Sequence, residues 1–151
     1  MDDCFICSKH KGIIETSGIT IYEDEFVFVG HIDQKEQPHY LGHLMIDLKR
    51  HAPTLGHMTS EEAKAFGVAI ARVSKALLES ENAEHIYSYV AGNALPHLHL
   101  HLVPRYPNTP QQFWGPMAVY DWEKAPFGDT DAVKKLCQRI KFYLETETTN
   151  V

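Results

Sequence analysis

Hydrophobic positions along the chain change period several times. From Ile13 to Ile32 the residues are rich in β-branched and aromatic types. Two short strands are predicted there, at 19–22 and 26–31, with the acidic residues Glu23, Asp24 and Glu25 turning between them. The polar stretch 33–40 contains Pro38 and reads as a loop. Residues 42–48 (GHLMIDL) form a third predicted strand. At 59–62 the sequence TSEE places Glu three residues after Thr, a capping-box signature. Phe66, Ile70, Val73 and Leu77 follow at helical spacing, so an amphipathic helix is expected over about residues 60–80. Residues 85–90 (HIYSYV) give a fourth strand. Residues 97–103 give a fifth, with Pro104 expected to end it because proline cannot donate to a ladder. The stretch 108–127 is rich in Pro, Gly, Trp and Gln and reads as a long ordered loop. A second helix is expected over about 131–145, with Val133, Leu136, Ile140 and Leu144 on one face; Cys137 shares that face, so a buried thiol is its expected role. Strands adjacent in sequence, interrupted by one helix, indicate an α+β fold with a mainly antiparallel five-stranded sheet and two helices.

Composition narrows the setting. A chain of 151 residues fits one domain and can bury a core without disulfide staples. Its net charge of −6 gives no support to broad nucleic-acid binding, which leaves a basic footprint. It does not oppose a small anionic ligand in a local site. No apolar run approaches a membrane span, and the N-terminus MDDCFICSKH lacks a signal-peptide pattern. Three cysteines (Cys4, Cys7 and Cys137) without an export signal point to a reducing compartment, and a cytoplasmic location is expected.

The stretch PHLHLHLVPR, residues 96–105, carries the sharpest chemistry. In a strand, residues i, i+2 and i+4 share a face. His97, His99 and His101 should then project together at steps of roughly 6.5–7 Å, while Leu98, Leu100 and Leu102 pack on the other side. A lone strand histidine is usually just packed or exposed. Three in register gain nothing in a bland core. Two readings follow: a catalytic metal site on three imidazoles, or histidines acting on phosphate, one as nucleophile and the others as donors. The pair Cys4-x-x-Cys7 can turn both sulfurs to one tetrahedral metal. A redox pair and two plain thiols are its alternatives.

His97-Leu98-His99-Leu100-His101-Leu102-Val103, followed by Pro104-Arg105, resembles the signature of the histidine triad family. YEDEFVFV (22–29) is similar to that family's first hairpin, and GHLMIDLKRH (42–51) to its Gly-His, apolar strand and basic-His segment. The similarity covers roughly residues 4–106. The loop around Trp114, with Trp122 beyond it, resembles a bacterial-type branch. The resemblance implies a nucleotidyl hydrolase or transferase acting at the α-phosphate of dinucleoside polyphosphates or adenosine phosphoramidates, through a covalent nucleotidyl-histidine. It implies His99 as nucleophile, with a backbone carbonyl near His97 holding its other nitrogen. His101 and His43 would be donors to the phosphate or leaving group. It also implies a structural zinc held by Cys4, Cys7, His51 and His97, and a homodimer, expected to form through the helix at 60–80 and the fourth strand; His10, close to the cysteines in sequence, is a possible substitute ligand. No organic cofactor is implied.

Two departures from the family pattern stand out. VAGNALPH (90–97) is shorter than the family's segment before the triad, and Asn93 stands where a Gln is expected; Asn93 could donate to the bridging phosphate or be a turn residue. His31, Ile32 and Asp33 fall where relatives hold the ribose, so His31 and Asp33 are candidate substrate contacts. Two rivals remain open: a zinc metallohydrolase on His97, His99 and His101, and a non-catalytic nucleotide-binding or zinc-stabilised interaction module.

Overall fold

The structure, a computed structural model, describes residues 4–14, 19–33 and 38–147. Parts of the N-terminal segment and of the loop 33–40 lie outside the described residues. Seven strands are present among them: β1 (Thr20–Glu23), β2 (Val27–His31), β3 (His39–Tyr40), β4 (Leu44–Leu48), β5 (His85–Tyr89), β6 (His99–Arg105) and β7 (Phe127–Gly128). Three helices accompany them: α1 (Phe5–His10), α2 (Ser60–Ser80) and α3 (Thr130–Glu147). Five strands form one antiparallel sheet in the order β1-β2-β4-β6-β5, and β3 pairs with β7 in a separate ribbon. The fold is α+β, as the hydrophobic pattern predicts.

Strand alternation divides the large sheet into two chemically different faces. Val27, Val29, Leu44, Ile46, Leu100 and Leu102 are buried in one core with Phe66, Val73 and Leu77 of α2 and Leu136 and Ile140 of α3. Each such side chain contributes about 1.5–3 kcal/mol when removed from water. The intervening residues define the face away from these helices. Register places Gly30 beside Met45, Phe28 beside Asp47, Met45 beside His101 and Asp47 beside His99. Tyr89 of the edge strand β5 also sits opposite His101. One sequence period thus builds a greasy side and a chemically armed side.

Local chemistry fixes the element ends. Asp24 Oδ1 accepts from the backbone N–H groups of Phe26 (2.7 Å) and Val27 (2.8 Å), which closes the β1–β2 turn. The capping box at α2 is formed: Glu62 N–H donates to Thr59 Oγ1, and Thr59 N–H donates to Glu62 Oε2. Arg50 grips the same carboxylate through Nε and Nη2. The helix start is therefore tied to the end of β4, next to His51. Cys137 is fully buried in α3, as its position on the apolar face predicts, and burial pushes its thiol up to about 12.

Several details differ from the pattern reading. β6 begins at His99, so His97 stands before the strand rather than in it. Pro104 does not stop the strand; it pairs with Ile86 inside it. β4 pairs with β6 only as far as Leu102, and the Pro104 carbonyl turns to that vacated side, where Tyr40 Oη donates to it at 2.7 Å. A backbone N–H at 104 would point the same way, so its absence costs no ladder bond. The helix α1 carries one buried side chain, Ile6, and is too short for periodicity to reveal. The loop at 108–127 contains two 3₁₀ turns and ends in β7, which pairs with β3 at the end of the stretch read as loop at 33–40.

Gly42 sits in the turn before β4 with φ +89°, and a Cβ there would lie 2.8 Å from the Pro104 ring. Gly42→Ala is expected to cost about 2–4 kcal/mol from left-handed strain plus overpacking, read as a lower urea midpoint; an unchanged midpoint would contradict the packing described.

Candidate active site and metal centre

Four ligand atoms from three parts of the chain meet at one end of the triad. Cys4 Sγ lies 3.3 Å from His97 Nδ1, and Cys7 Sγ lies 3.4 Å from the same nitrogen and 3.5 Å from His51 Nδ1. The two imidazole nitrogens are 3.2 Å apart, and all four atoms lie within 4.8 Å of one another. Tetrahedral arms of about 2.0–2.3 Å would put sulfur and nitrogen about 3.6 Å apart and two nitrogens about 3.3 Å apart. The donor set therefore fits one borderline-soft cation with four protein ligands. His97 Nε2 donates to the Leu48 carbonyl at 2.5 Å, the second contact that fixes a ligating imidazole. Burial, then the neighbouring Cys4, pushes the Cys7 thiol up, a cost removed when thiolate meets a cation. His10 is not in this group. Its Nε2 lies 3.2 Å from Asp47 Oδ2, beside Lys9 Nζ at 2.5 Å. Burial raises the Asp47 carboxyl, but hydrogen bonding from His10 and the charge and hydrogen bond of Lys9 bring it below its ordinary value. Asp47 thereby anchors α1 over the polar face of the sheet.

The other two triad histidines face different partners. His99 Nδ1 donates to the His97 carbonyl at 2.7 Å, and Nε2 makes no hydrogen bond among the described residues. That puts the neutral ring's proton on Nδ1 and its lone pair on Nε2. His101 lies flat against Tyr89, with ring centroids 4.4 Å apart and planes 5° from parallel. Its Nδ1 is 2.8 Å from His43 Nε2, and His43 Nδ1 is hydrogen-bonded to Tyr120 Oη. The three imidazoles of the ladder therefore do not converge on a single ion.

Burial, then the neighbouring His101 and His31, lowers His43 to about 3; burial, then His99, lowers His101 to about 4. His31 is also lowered to about 4, chiefly by burial. All three are neutral near pH 7 in the folded protein and titrate near 6.5 when unfolded. Unfolding thus takes up protons below about pH 6.5, and stability should fall as pH drops from about 6.5 towards 4. Urea midpoints measured across that window test this; a flat profile would contradict the buried neutral rings.

A small cleft of about 70 Å³, partly open to solvent, lies on the same sheet face. Phe28, Gly30 and Met45 form part of its lining, with His31, Ile32 and Asp33 beside them and Phe5 and Lys9 of α1 across from the sheet. Met45 is the register neighbour of His101, so the cleft adjoins the triad strand. His31 lines the cleft, but its Nδ1 donates to the Ile32 carbonyl and its Nε2 accepts from the Gly42 N–H, so both polar atoms are occupied by backbone. It contributes its ring to the wall, not a free polar contact as the sequence position had implied. Asp33 is exposed at the cleft. Asn93 is exposed in a bend before the triad and is not part of the cleft lining.

Tyr89, Tyr120 and Asp47 were not singled out from the sequence. Asp47 was visible as one acid in an apolar strand, and Tyr89 as part of the alternation YSY in β5. No local signal ties Tyr120 to His43, which lies 77 residues away.

Among solved structures, similar folds include a zinc-bound histidine triad family protein from Mycobacterium smegmatis, 19% identical, with TM-score 0.71 and 99% of both chains covered. A hypothetical histidine triad nucleotide-binding protein from Sulfolobus tokodaii is 20% identical, with TM-score 0.72, covering 95% of this chain and 93% of the other. A Hit-like protein from Bartonella henselae is 18% identical, with TM-score 0.68, covering 95% and 98%. A comparison with curated proteins finds no match. No helix among the described residues is long and apolar enough to cross a membrane. The profile of the HIT domain matches residues 15–108, well over half of the chain. With the triad strand, the sheet and this match in agreement, the chain belongs to the HIT domain family, a family of nucleotide-binding proteins of the hydrolase and transferase type.

Proposed function

We propose that this protein is a cytoplasmic nucleotidyl hydrolase or transferase that cleaves nucleoside 5′-phosphate derivatives at the α-phosphorus through a covalent bond to His99. The observation that carries this reading is the hydrogen bond from His99 Nδ1 to the His97 carbonyl, which leaves Nε2 as the bare nucleophile. In the first step the Nε2–phosphorus bond forms and the bond from phosphorus to the leaving group breaks. In the second, water attacks phosphorus and the Nε2–phosphorus bond breaks, releasing the nucleoside monophosphate. Splitting one displacement into two lowers each barrier. His101 and His43 donate hydrogen bonds to phosphate or leaving-group oxygens, a role typically worth a few kcal/mol per donor. The cleft lined by Phe28, Gly30, Met45 and Asp33 takes the nucleoside, with Asp33 near the ribose and Asn93 reaching the bridging phosphate from its bend. Dinucleoside polyphosphates and adenosine phosphoramidates are the substrate classes.

Zinc is the metal proposed for Cys4, Cys7, His51 and His97. Two thiolates with two imidazoles suit it, and the Mycobacterium smegmatis relative is described as zinc-bound. Four protein ligands close the coordination sphere, so its part is to clip the N-terminal segment to β4 and the triad. This ligand set also disfavours the metallohydrolase alternative, which needs His97, His99 and His101 on one ion. A homodimer is proposed through α2 and β5: β5 has a free sheet edge, and Ile70, Leu78 and Ile86 line an open groove between the two elements.

Incubation with adenosine 5′-phosphoramidate or a diadenosine polyphosphate in ¹⁸O-labelled water tests the function. AMP carrying label in its phosphate is the expected product. Nucleotide binding without any product would instead establish the non-catalytic module.

A further inference from the structure

The long loop after β6 returns Tyr120 to the polar face, where it stacks on Tyr40 at 4.9 Å and reaches His43. Three groups then stand in line: Tyr120 Oη, His43 with both ring nitrogens engaged, and His101 Nδ1. Each ring is neutral and owns one proton, so the position of one proton fixes the others. Tyr120 Oη has no other hydrogen-bond partner among the described residues, which makes His43 Nδ1 its acceptor. With Nδ1 accepting, the His43 proton sits on Nε2 and donates to His101 Nδ1. The one proton of His101 is then on Nε2, the nitrogen that His43 leaves unused.

We propose that Tyr120 is a positioning residue that sets the tautomers of His43 and His101, so that His101 presents an N–H, not a lone pair, to the substrate's phosphate or leaving-group oxygen. The role of His101 toward substrate rests on the proposed function; the proton order in the free protein does not. Tyr89 supports the arrangement by holding the His101 ring in one plane. The reverse order would leave the Tyr120 hydroxyl proton without a protein acceptor and would turn His101 into an acceptor facing anionic oxygens, which repel a lone pair.

The test is long-range ¹H–¹⁵N correlation spectroscopy of the substrate-free protein, because protonated and bare ring nitrogens are well separated in ¹⁵N shift. Wild type is expected to show His43 and His101 both protonated at Nε2. Tyr120→Phe keeps the ring stack and removes the donor, so His43 and His101 should become tautomer mixtures. Tyr40→Phe removes a phenol from the same cluster without touching His43 and should leave both tautomers as in wild type. In turnover assays Tyr120→Phe should lower kcat about tenfold with KM nearly unchanged, the scale of losing an orienting hydrogen bond. The loss should be greater for a poor leaving group than for a good one. A wild-type His101 protonated at Nδ1, or tautomers unchanged in Tyr120→Phe, would overturn the proposal. Failure of the wild-type enzyme to release AMP would count against the proposed function and leave the spectroscopic result standing.

Discussion

His99→Ala is expected to lower turnover by about 10⁴-fold or more, the scale seen when a covalent nucleophile is removed. Nucleotide affinity should change little, since among the described residues the ring's only hydrogen bond is to the His97 carbonyl and the cleft residues do not include it. The thermal midpoint should also hold, because His99 is only half-buried and the apolar side of this segment is carried by Leu98 just before β6 and by Leu100 and Leu102 within it. A binding module would show unchanged affinity with no activity to lose. A metallohydrolase on the ladder would lose metal along with activity. Loss of activity with cation content and affinity intact separates the covalent reading from both, measured by AMP release, equilibrium binding and metal analysis on one preparation.

The second large effect concerns stability. Cys4 and His97 are 93 positions apart, and Cys7 reaches both His51 and His97. A metal shared by these residues closes a long loop, much as a disulfide would. By that comparison its loss should cost about 3–5 kcal/mol, or about 10–15 °C in thermal midpoint for a chain of this size. The double replacement Cys4→Ser/Cys7→Ser, or strong chelation, should produce that drop. Protease sensitivity should rise within residues 4–14, since α1 is otherwise held mainly by Ile6 and the Lys9–Asp47 and His10–Asp47 contacts. Residual turnover with a lowered midpoint is the expected combination. Full loss of turnover at a temperature where the sheet is still folded would place the metal in the chemistry and contradict a purely structural role.

Much of the fold was readable because the sheet is two-sided. Leu98, Leu100 and Leu102 alternate with His99 and His101, and the period of two survives in the structure even though His97 is drawn out of the strand towards Cys4 and Cys7. The start of α2 was readable for a different reason: Thr59 and Glu62 satisfy each other's backbone donors, a local arrangement that needs no tertiary partner. What could not be read depends on distant partners. The helix α1 is one and a half turns long and is held by its contacts with Asp47 and by Cys7 beside His51 and His97, not by its own periodicity. Pro104 continues β6 because β4 has already ended beside it, a fact of register that no single segment reveals. The donor chain through Tyr120 depends on how a twenty-residue loop folds back, and its sequence carries turn formers but no spacing that points to His43. His31 shows the same limit from the other side: it lines the cleft, while its hydrogen bonds to Ile32 and Gly42, which no local pattern reveals, decide what its ring can offer there.

The most direct test of the central claim is to quench the reaction of the protein with a nucleotide labelled at the α-phosphorus, then map the acid-labile adduct by mass spectrometry under basic conditions. A nucleotidyl group on His99, absent in His99→Ala and chased by unlabelled substrate, is the expected result. Label on any other residue, or AMP released rapidly with no adduct at any time point, would contradict it.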